Sequence, residues 1–347
     1  MNKLNILKKV FVGFALIISV FFVSCINDVD FTGNTPKQLL VLNSIVSPDS
    51  TVKVHLTKSK FFLDANKTVF SAVSDANVYI SVNDSAQELM TNQGNGLYAS
   101  SKVLKPYDKI KITASRATFE TINAEVIIQP KIEILSIDTV HTLPLESESN
   151  WNGYSGDVYN IAHDTIIGTW TTKVIEVKVK FKDSANEKNY YKMNAYTLNS
   201  SNYKSFTGEV MSSSYVNEWG FDFSDVVFGN TSVQDEVFGD QSSNTNLFTD
   251  DLINGKEYVV TFKYQAEINT YFPGKEPADD KKASACQLVV DFQQLSKSAY
   301  LYYKTKNMSI QANGNPFTEP VQVYNNIEGG AGILGSFANS VKLFKLR

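Results

Sequence analysis

Cysteine is nearly missing from this chain of 347 residues, which holds two, Cys25 and Cys286. A disulfide framework is therefore excluded, and the fold must rest on an apolar core. Histidine is scarce too, with His55, His141 and His163 scattered through different segments. No zinc-protease helix motif, nucleophile elbow, phosphate loop or Cys-x-x-Cys pair occurs. His163-Asp164 has nothing beside it to complete a metal or catalytic set, so no catalytic residue, metal ligand or cofactor site is assigned. Basic excess is also absent, with 32 Lys and Arg against 36 Asp and Glu, which does not favour nucleic acid as a partner. Long apolar runs are limited to one, at the start.

That run carries the clearest signal. Met1 to Lys9 holds Lys3, Lys8 and Lys9 and no acid, and Val10 to Val23 is almost wholly apolar. Fourteen such residues fall short of the ~20 that span a bilayer. A basic segment, an apolar segment and then Phe22-Val-Ser-Cys25 resemble a bacterial lipoprotein signal, with Phe22 where Leu, Val or Ile is commoner. The resemblance implies cleavage after residue 24 and a lipidated Cys25. Without those three lysines the mature chain carries 29 basic and 36 acidic residues, a balance of −7. Residues 25–37 read as a lipidated tether. Asn27, Asp28 and Asp30 supply early negative charge, as in surface-export signals of Bacteroidota lipoproteins, and Gly33, Asn34 and Pro36 block regular structure.

Beyond the tether the pattern is β. Val52, Val54 and Leu56 alternate with Lys53, His55 and Thr57, as do Val78, Ile80 and Val82 with their neighbours, and Ile110 and Ile112 with Lys109 and Lys111. Turn clusters at 92–96 and 105–108 separate these strands. Residues 38–130 are thus expected to form an immunoglobulin- or fibronectin-like antiparallel sandwich. The loop from Lys58 to Ser74, with Phe61, Phe62 and Phe70, folds back over it. Residues 131–347 form a second β-rich domain after Pro130. Its cleanest strand is Ile175, Val177, Val179 and Phe181 alternating with Glu176, Lys178, Lys180 and Lys182. The turn Asp183-Ser-Ala-Asn186 predicts a hairpin to a strand over Asn189–Leu198. Further strands are expected at Glu257–Gln265, Ser284–Gln293, Val321–Tyr324, Ile333–Leu334 and Val341–Leu346. One short helix is expected at about Leu295–Asn307. Cys286 shares a strand face with Leu288, Val290 and Phe292 and reads as a core thiol. Gly329-Gly-Ala-Gly332 precedes a strand rather than a helix, so it reads as a tight turn or bulge, not a dinucleotide fingerprint. The fold class is all-β, two antiparallel sandwich-like domains after a lipoprotein signal peptide.

Two polar stretches, 141–171 and 200–252, hold Trp151, Trp170 and Trp219 with Tyr154, Tyr159, Phe221 and Phe223. Aromatics on long loops bind or pin the loop to the core. Trp151, Tyr154, Trp219 and Phe221 are the candidate contacts to a ligand or partner. Asp222, Asp225, Asp235, Glu236 and Asp240 match no calcium loop and read as solvated acids.

Asn315-Pro-Phe-Thr-Glu-Pro-Val-Gln-Val-Tyr-Asn-Asn-Ile-Glu-Gly-Gly-Ala-Gly-Ile333 resembles the closing signature of a Bacteroidota lipoprotein family, domain of unknown function 4249. Residues 49–61 resemble its opening segment and 181–191 its middle. Ile333-Leu334 stands where the family often has an aromatic. The resemblance implies an outer-membrane lipoprotein, often encoded beside a TonB-dependent receptor, and supplies no catalytic residues to carry over; the acidic tether points it to the exterior. The expected role is a non-enzymatic accessory or ligand-binding subunit of such a barrel receptor in nutrient uptake, its cargo a small molecule, peptide or glycan. The alternative is an adhesin-like structural lipoprotein.

Overall fold

A computed structural model describes residues 37–61, 70–152, 166–185, 187–204, 210–228, 246–271, 285–312 and 319–345. The protein is all-β with one α-helix, and residues 38–347 cluster as one compact unit.

The first half contributes β1 (Leu40–Val46), β2 (Thr51–Lys58), β3 (Asn77–Val82), β4 (Glu88–Leu89), β5 (Thr91–Asn92), β6 (Leu97–Val103), β7 (Lys109–Ser115) and β8 (Ile122–Ile127). Period-two burial drives them: in β2 Val52, Val54 and Leu56 are fully buried while Thr51, Lys53 and His55 are exposed. Sheet β4-β3-β7-β8 packs on β1, β2 and β6 around Leu42, Val54, Ile80, Ile112 and Val126.

The second half contributes β9 (Ile134–Asn152), β10 (Ile166–Lys182), β11 (Tyr190–Lys204), β12 (Val210–Asn217), β13 (Phe221–Asp222), β14 (Leu247–Thr249), β15 (Glu257–Tyr271), β16 (Ala285–Leu295), α1 (Lys297–Ala312) and β17 (Ala331–Lys345). Sheet β13-β15-β10-β9 faces β11 and β16 across a core of aromatics. Phe181 meets Phe292 edge-on at 4.7 Å and Tyr191 at 5.7 Å. Such pairs each add about 0.5–1.5 kcal/mol beyond area burial.

Both halves share one sheet of nine strands, in the order β12-β11-β16-β17-β1-β2-β6-β5, with β14 also on β11. The shared element is β17. Its first part pairs parallel with β1, Val41 opposite Ala331 to Val46 opposite Ser336. Its second part pairs antiparallel with β16, Leu295 opposite Phe337 to Gln287 opposite Lys345. Leu334 enters the first core and Phe344 the second. Gly332 makes the β1 pairing possible: its φ is +116°, and a Cβ there would stand 2.0 Å from the Leu42 carbonyl oxygen. The helix covers the other face of the shared sheet, where Leu247, Leu295, Ala299 and Tyr300 form a third small cluster. Gly335 admits it, since a Cβ would lie 3.0 Å from the Ala299 Cβ.

Several expectations are corrected. β10 and β11 do not form a hairpin: β10 pairs with β9 and β15, whereas β11 pairs with β12, β14 and β16 in the facing sheet. Residues 321–324 are not a strand, and the tail strands are one continuous β17. The polar stretches 141–171 and 200–252 are not loops throughout. Residues 141–152 and 166–171 prolong β9 and β10, and 200–204 and 210–217 make up much of β11 and β12. These stretches are rich in Thr, Ser and Asn and lack the apolar alternation of a half-buried strand, so hydropathy alone conceals them.

Candidate functional site

At the waist, where the two halves meet, lies an open cleft of about 950 Å³. Its walls are β7 and β8 on one side and, on the other, the turn 187–190, the start of α1 and the connection 324–328.

Each wall is pinned by a named device. Ser296 precedes the helix and its Oγ accepts the Ala299 N–H at 3.2 Å and the Ser336 N–H at 3.0 Å, capping α1 and fixing it to β17 together. Ser298 Oγ donates to the Leu334 carbonyl at 2.9 Å. Asn326 closes on the same residue from the other side: its Oδ1 accepts the Leu334 N–H at 2.9 Å and its Nδ2 donates to the Leu334 carbonyl at 2.8 Å. One amide side chain thereby satisfies both backbone groups of a strand residue. Asn325 Oδ1 takes the Ile327 N–H at 2.9 Å, tightening the turn.

The turn 187–190 is held by buried polar groups. Asp183, Asn189 and Asp250 are 2 %, 2 % and 1 % exposed. Asp183 accepts the Tyr191 hydroxyl and the Gly255 N–H. Asp250 Oδ2 accepts the Asn189 N–H at 2.9 Å, while its Oδ1 pairs with Lys188 Nζ at 2.9 Å. Asn189 Nδ2 donates to the Ser184 carbonyl at 2.9 Å, and Gln294 Nε2 donates to Asn189 Oδ1 at 3.0 Å. Burial alone would pull the Lys188 ammonium down, but hydrogen bonds to Asp251 and Asp250 hold it above its ordinary value.

Three further charges of the cleft are matched to one another. Lys109 and Lys111 both reach Glu125, at 2.9 and 3.5 Å. The hydrogen bond from Lys109 holds the Glu125 carboxyl below its usual range. Lys297, Glu187 and Glu328 also line the cleft and form no ion pair among the described residues. No histidine or cysteine lines the cleft among the described residues, and its two serine hydroxyls are committed to backbone. The arrangement suits reversible, hydrogen-bonded contact with a polar ligand or chain. Among the described residues no three His, Cys, Asp or Glu side chains gather to hold a metal ion.

Of the four aromatics singled out in the sequence, Trp219 and Phe221 do not line it. Cys25 and Tyr154 lie outside the described residues. Trp151 is opposite Gly168 near the end of the β9–β10 hairpin, its side chain likewise outside the described set. Trp219 is 84 % exposed in the turn between β12 and β13, where Gly220, at φ +83°, lets its carbonyl accept the Gln265 N–H at 2.8 Å. Phe221 is half-buried, its ring stacked on Tyr264 at 4.7 Å. Phe221 pairs with Tyr264, whereas Gly168 pairs with Tyr271. Seven residues of strand, roughly 23 Å, thus separate Phe221 from the level of Trp151. Asp225, expected to be solvated, is a structural acceptor: Oδ1 takes Tyr258 Oη at 2.8 Å and Val227 N–H at 3.1 Å, and Oδ2 takes Thr261 N–H at 2.8 Å. Burial, aided by Asp225, pushes the Tyr258 phenol up to about 12. Asp235, Glu236 and Asp240 lie outside the described residues.

The cleft itself went unread in the sequence. The only local signals were Ser296 before the helix, a capping residue, and the Asn325-Asn326 pair inside the closing signature.

A family model described as Domain of unknown function (DUF4249) matches residues 26–342. Neither a curated protein nor a solved structure matches the chain.

Proposed function

The chain belongs to that family, domain of unknown function 4249, and from this membership we propose an outer-membrane lipoprotein, anchored through Cys25 and facing the exterior. It acts as a non-catalytic accessory or ligand-binding subunit of a TonB-dependent barrel receptor. The observation that carries the reading is the continuity of β17, which pairs with β1 beside the chain entry and with β16 in the half bearing the long hairpins. One hydrogen-bonded sheet spans both halves. A sheet resists shear along its length, so such a unit can hold its outer strands at a set distance from an anchor. Most cleft charges are already paired in place, which favours holding over chemical conversion. Trp219, almost fully exposed beside Tyr215 and Val216 at 60 % and 55 %, supplies an apolar contact of the kind that dominates interface energy.

Affinity purification after crosslinking in native outer membranes tests this. A barrel receptor should co-purify, and Trp219→Ala should weaken its recovery while leaving the melting temperature within about a degree, because an exposed side chain contributes little to stability. Phe221→Ala, by contrast, should cost about 1–3 kcal/mol of folding stability through lost packing on Tyr264. Absence of any barrel under every crosslinking condition would favour an adhesin-like structural lipoprotein instead.

A further inference from the structure

The first sandwich has a distinct end where the chain enters it. The Leu39 N–H donates to Ser59 Oγ at 2.8 Å, and the Ser59 N–H donates back to the Leu39 carbonyl at 2.8 Å. The Lys58 N–H reaches the Ser71 carbonyl at 2.9 Å, and Thr57 bridges Ala72. Lys58 Nζ stands 5.8 Å from the Phe119 ring centre and the Arg116 guanidinium 5.3 Å from it. These contacts place Leu39, Lys58 to Phe61, Phe70 to Ala72 and Arg116 to Phe119 at one end of the sandwich.

Two features there have no explanation among the described residues. Leu39 is 37 % and Phe70 59 % exposed, although buried strands lie directly beside them. The neighbouring lysines also lack carboxylate partners among the described residues. Arg116 is taken by Asp75 in a bidentate pair at 2.6 and 2.8 Å, but Lys58 and Lys60 form no ion pair among the described residues. Glu120 is the other acid among the described residues at this end, its side chain beside Gly329. The chain as a whole is acidic, with 36 acids to 32 bases. Apolar side chains with unmatched lysines around them are complementary to an anionic lipid interface, where acyl chains take the first and headgroups the second.

The chain length sets the geometry. Only residues 26–37 separate Cys25 from the folded unit, which begins at Gln38. Twelve residues span at most roughly 40 Å fully extended. Resting on the lipid anchor proposed above, this bound keeps the entry end within roughly 40 Å of the bilayer, near enough to touch it.

We propose that this end is a membrane-contact surface: Leu39, Phe61 and Phe70 lie at the lipid interface, and Lys58 and Lys60 meet anionic headgroups. The contact orients the molecule so that the parallel β1–β17 pair leads away from the membrane and carries the hairpin-bearing half outward.

Amine footprinting of the full acylated protein tests this, in phosphatidylglycerol vesicles, in phosphatidylcholine vesicles and in detergent micelles. Acetylation of Lys58 and Lys60 should fall at least fivefold in phosphatidylglycerol vesicles relative to micelles, and less in phosphatidylcholine, while Lys263 and Lys342 label equally in all three. Phe70→Asp, at an exposed position that leaves the fold intact, should restore labelling by threefold or more. Equal labelling of Lys58 and Lys60 in vesicles and micelles would overturn the contact surface even where mass spectrometry shows an acylated Cys25. A Cys25 without acyl chains would overturn the anchor reading itself, and this inference with it.

Discussion

Asp183 shows what one buried side chain decides. Its carboxylate sits at the exit of β10 and accepts hydrogen bonds from Tyr191 and Gly255, the latter 72 residues on. Burial, the largest influence, holds its pKa above the ordinary aspartate value, against those two donors, which lower it. A raised folded pKa means that the native state binds more protons than the unfolded chain between the two values. Stability from this group is therefore fully present below about 3.8 and lost as pH rises through the folded value. Asp183→Asn abolishes that titration but leaves one buried donor without an acceptor, a cost of about 1–3 kcal/mol. The variant is expected to melt below the parent at every pH, with a gap that is widest in acid and narrows toward neutrality. A gap constant with pH would show that Asp183 titrates normally. The sequence announced Asp183 only as a turn residue, because one of its two partners, Gly255, lies 72 residues on. Asp225 was hidden for the same reason, its acceptor atoms being filled from β15. Phe221 and Trp219 look alike as loop aromatics, and only register separates the stacked ring from the exposed one.

Strands were the legible elements. Where one face is buried, a period of two is imposed on composition, as in Val52, Val54 and Leu56 or in Ile175, Val177, Val179 and Phe181. The connections between them were not legible. A polar four-residue turn after a strand suits a hairpin and a sheet-to-sheet crossing equally, and here the buried set Asp183, Asn189 and Asp250 selects the crossing. Strand β17 makes a sharper test. Gly332→Ala adds a Cβ 2.0 Å from the Leu42 carbonyl oxygen at a φ of +116°, so the parallel pairing must part. A loss above about 2 kcal/mol is expected in the denaturant midpoint. Gly94→Ala, at φ +86° in open space, should lose about 1 kcal/mol or less. Equal losses at both glycines would mean that the β1–β17 contact carries no special strain.

At the scale of the molecule, two cores are bound into one sheet by a strand that belongs to both. Leu334→Ala should cost about 2–5 kcal/mol and Phe344→Ala less, since Leu334 is fully buried and Phe344 only partly. Both should lower the same calorimetric transition, because loss of β17 exposes both cores. Two transitions that respond separately would mean that the halves unfold independently. The sequence by itself determined the all-β class, the strand faces, the one helix and the glycine turn before β17, and it resembled the family whose model matches residues 26–342. These are properties of short windows or of ordered motifs, where burial periodicity and backbone freedom act on neighbours. Only the tertiary structure decided which strands pair, that β17 runs unbroken between two cores, and that a cleft forms at the waist. Those outcomes depend on contacts across scores to hundreds of residues, such as Ser336 to the Ile127 carbonyl and Ser340 to the Ile132 carbonyl. No local pattern encodes which distant backbone group a serine will find.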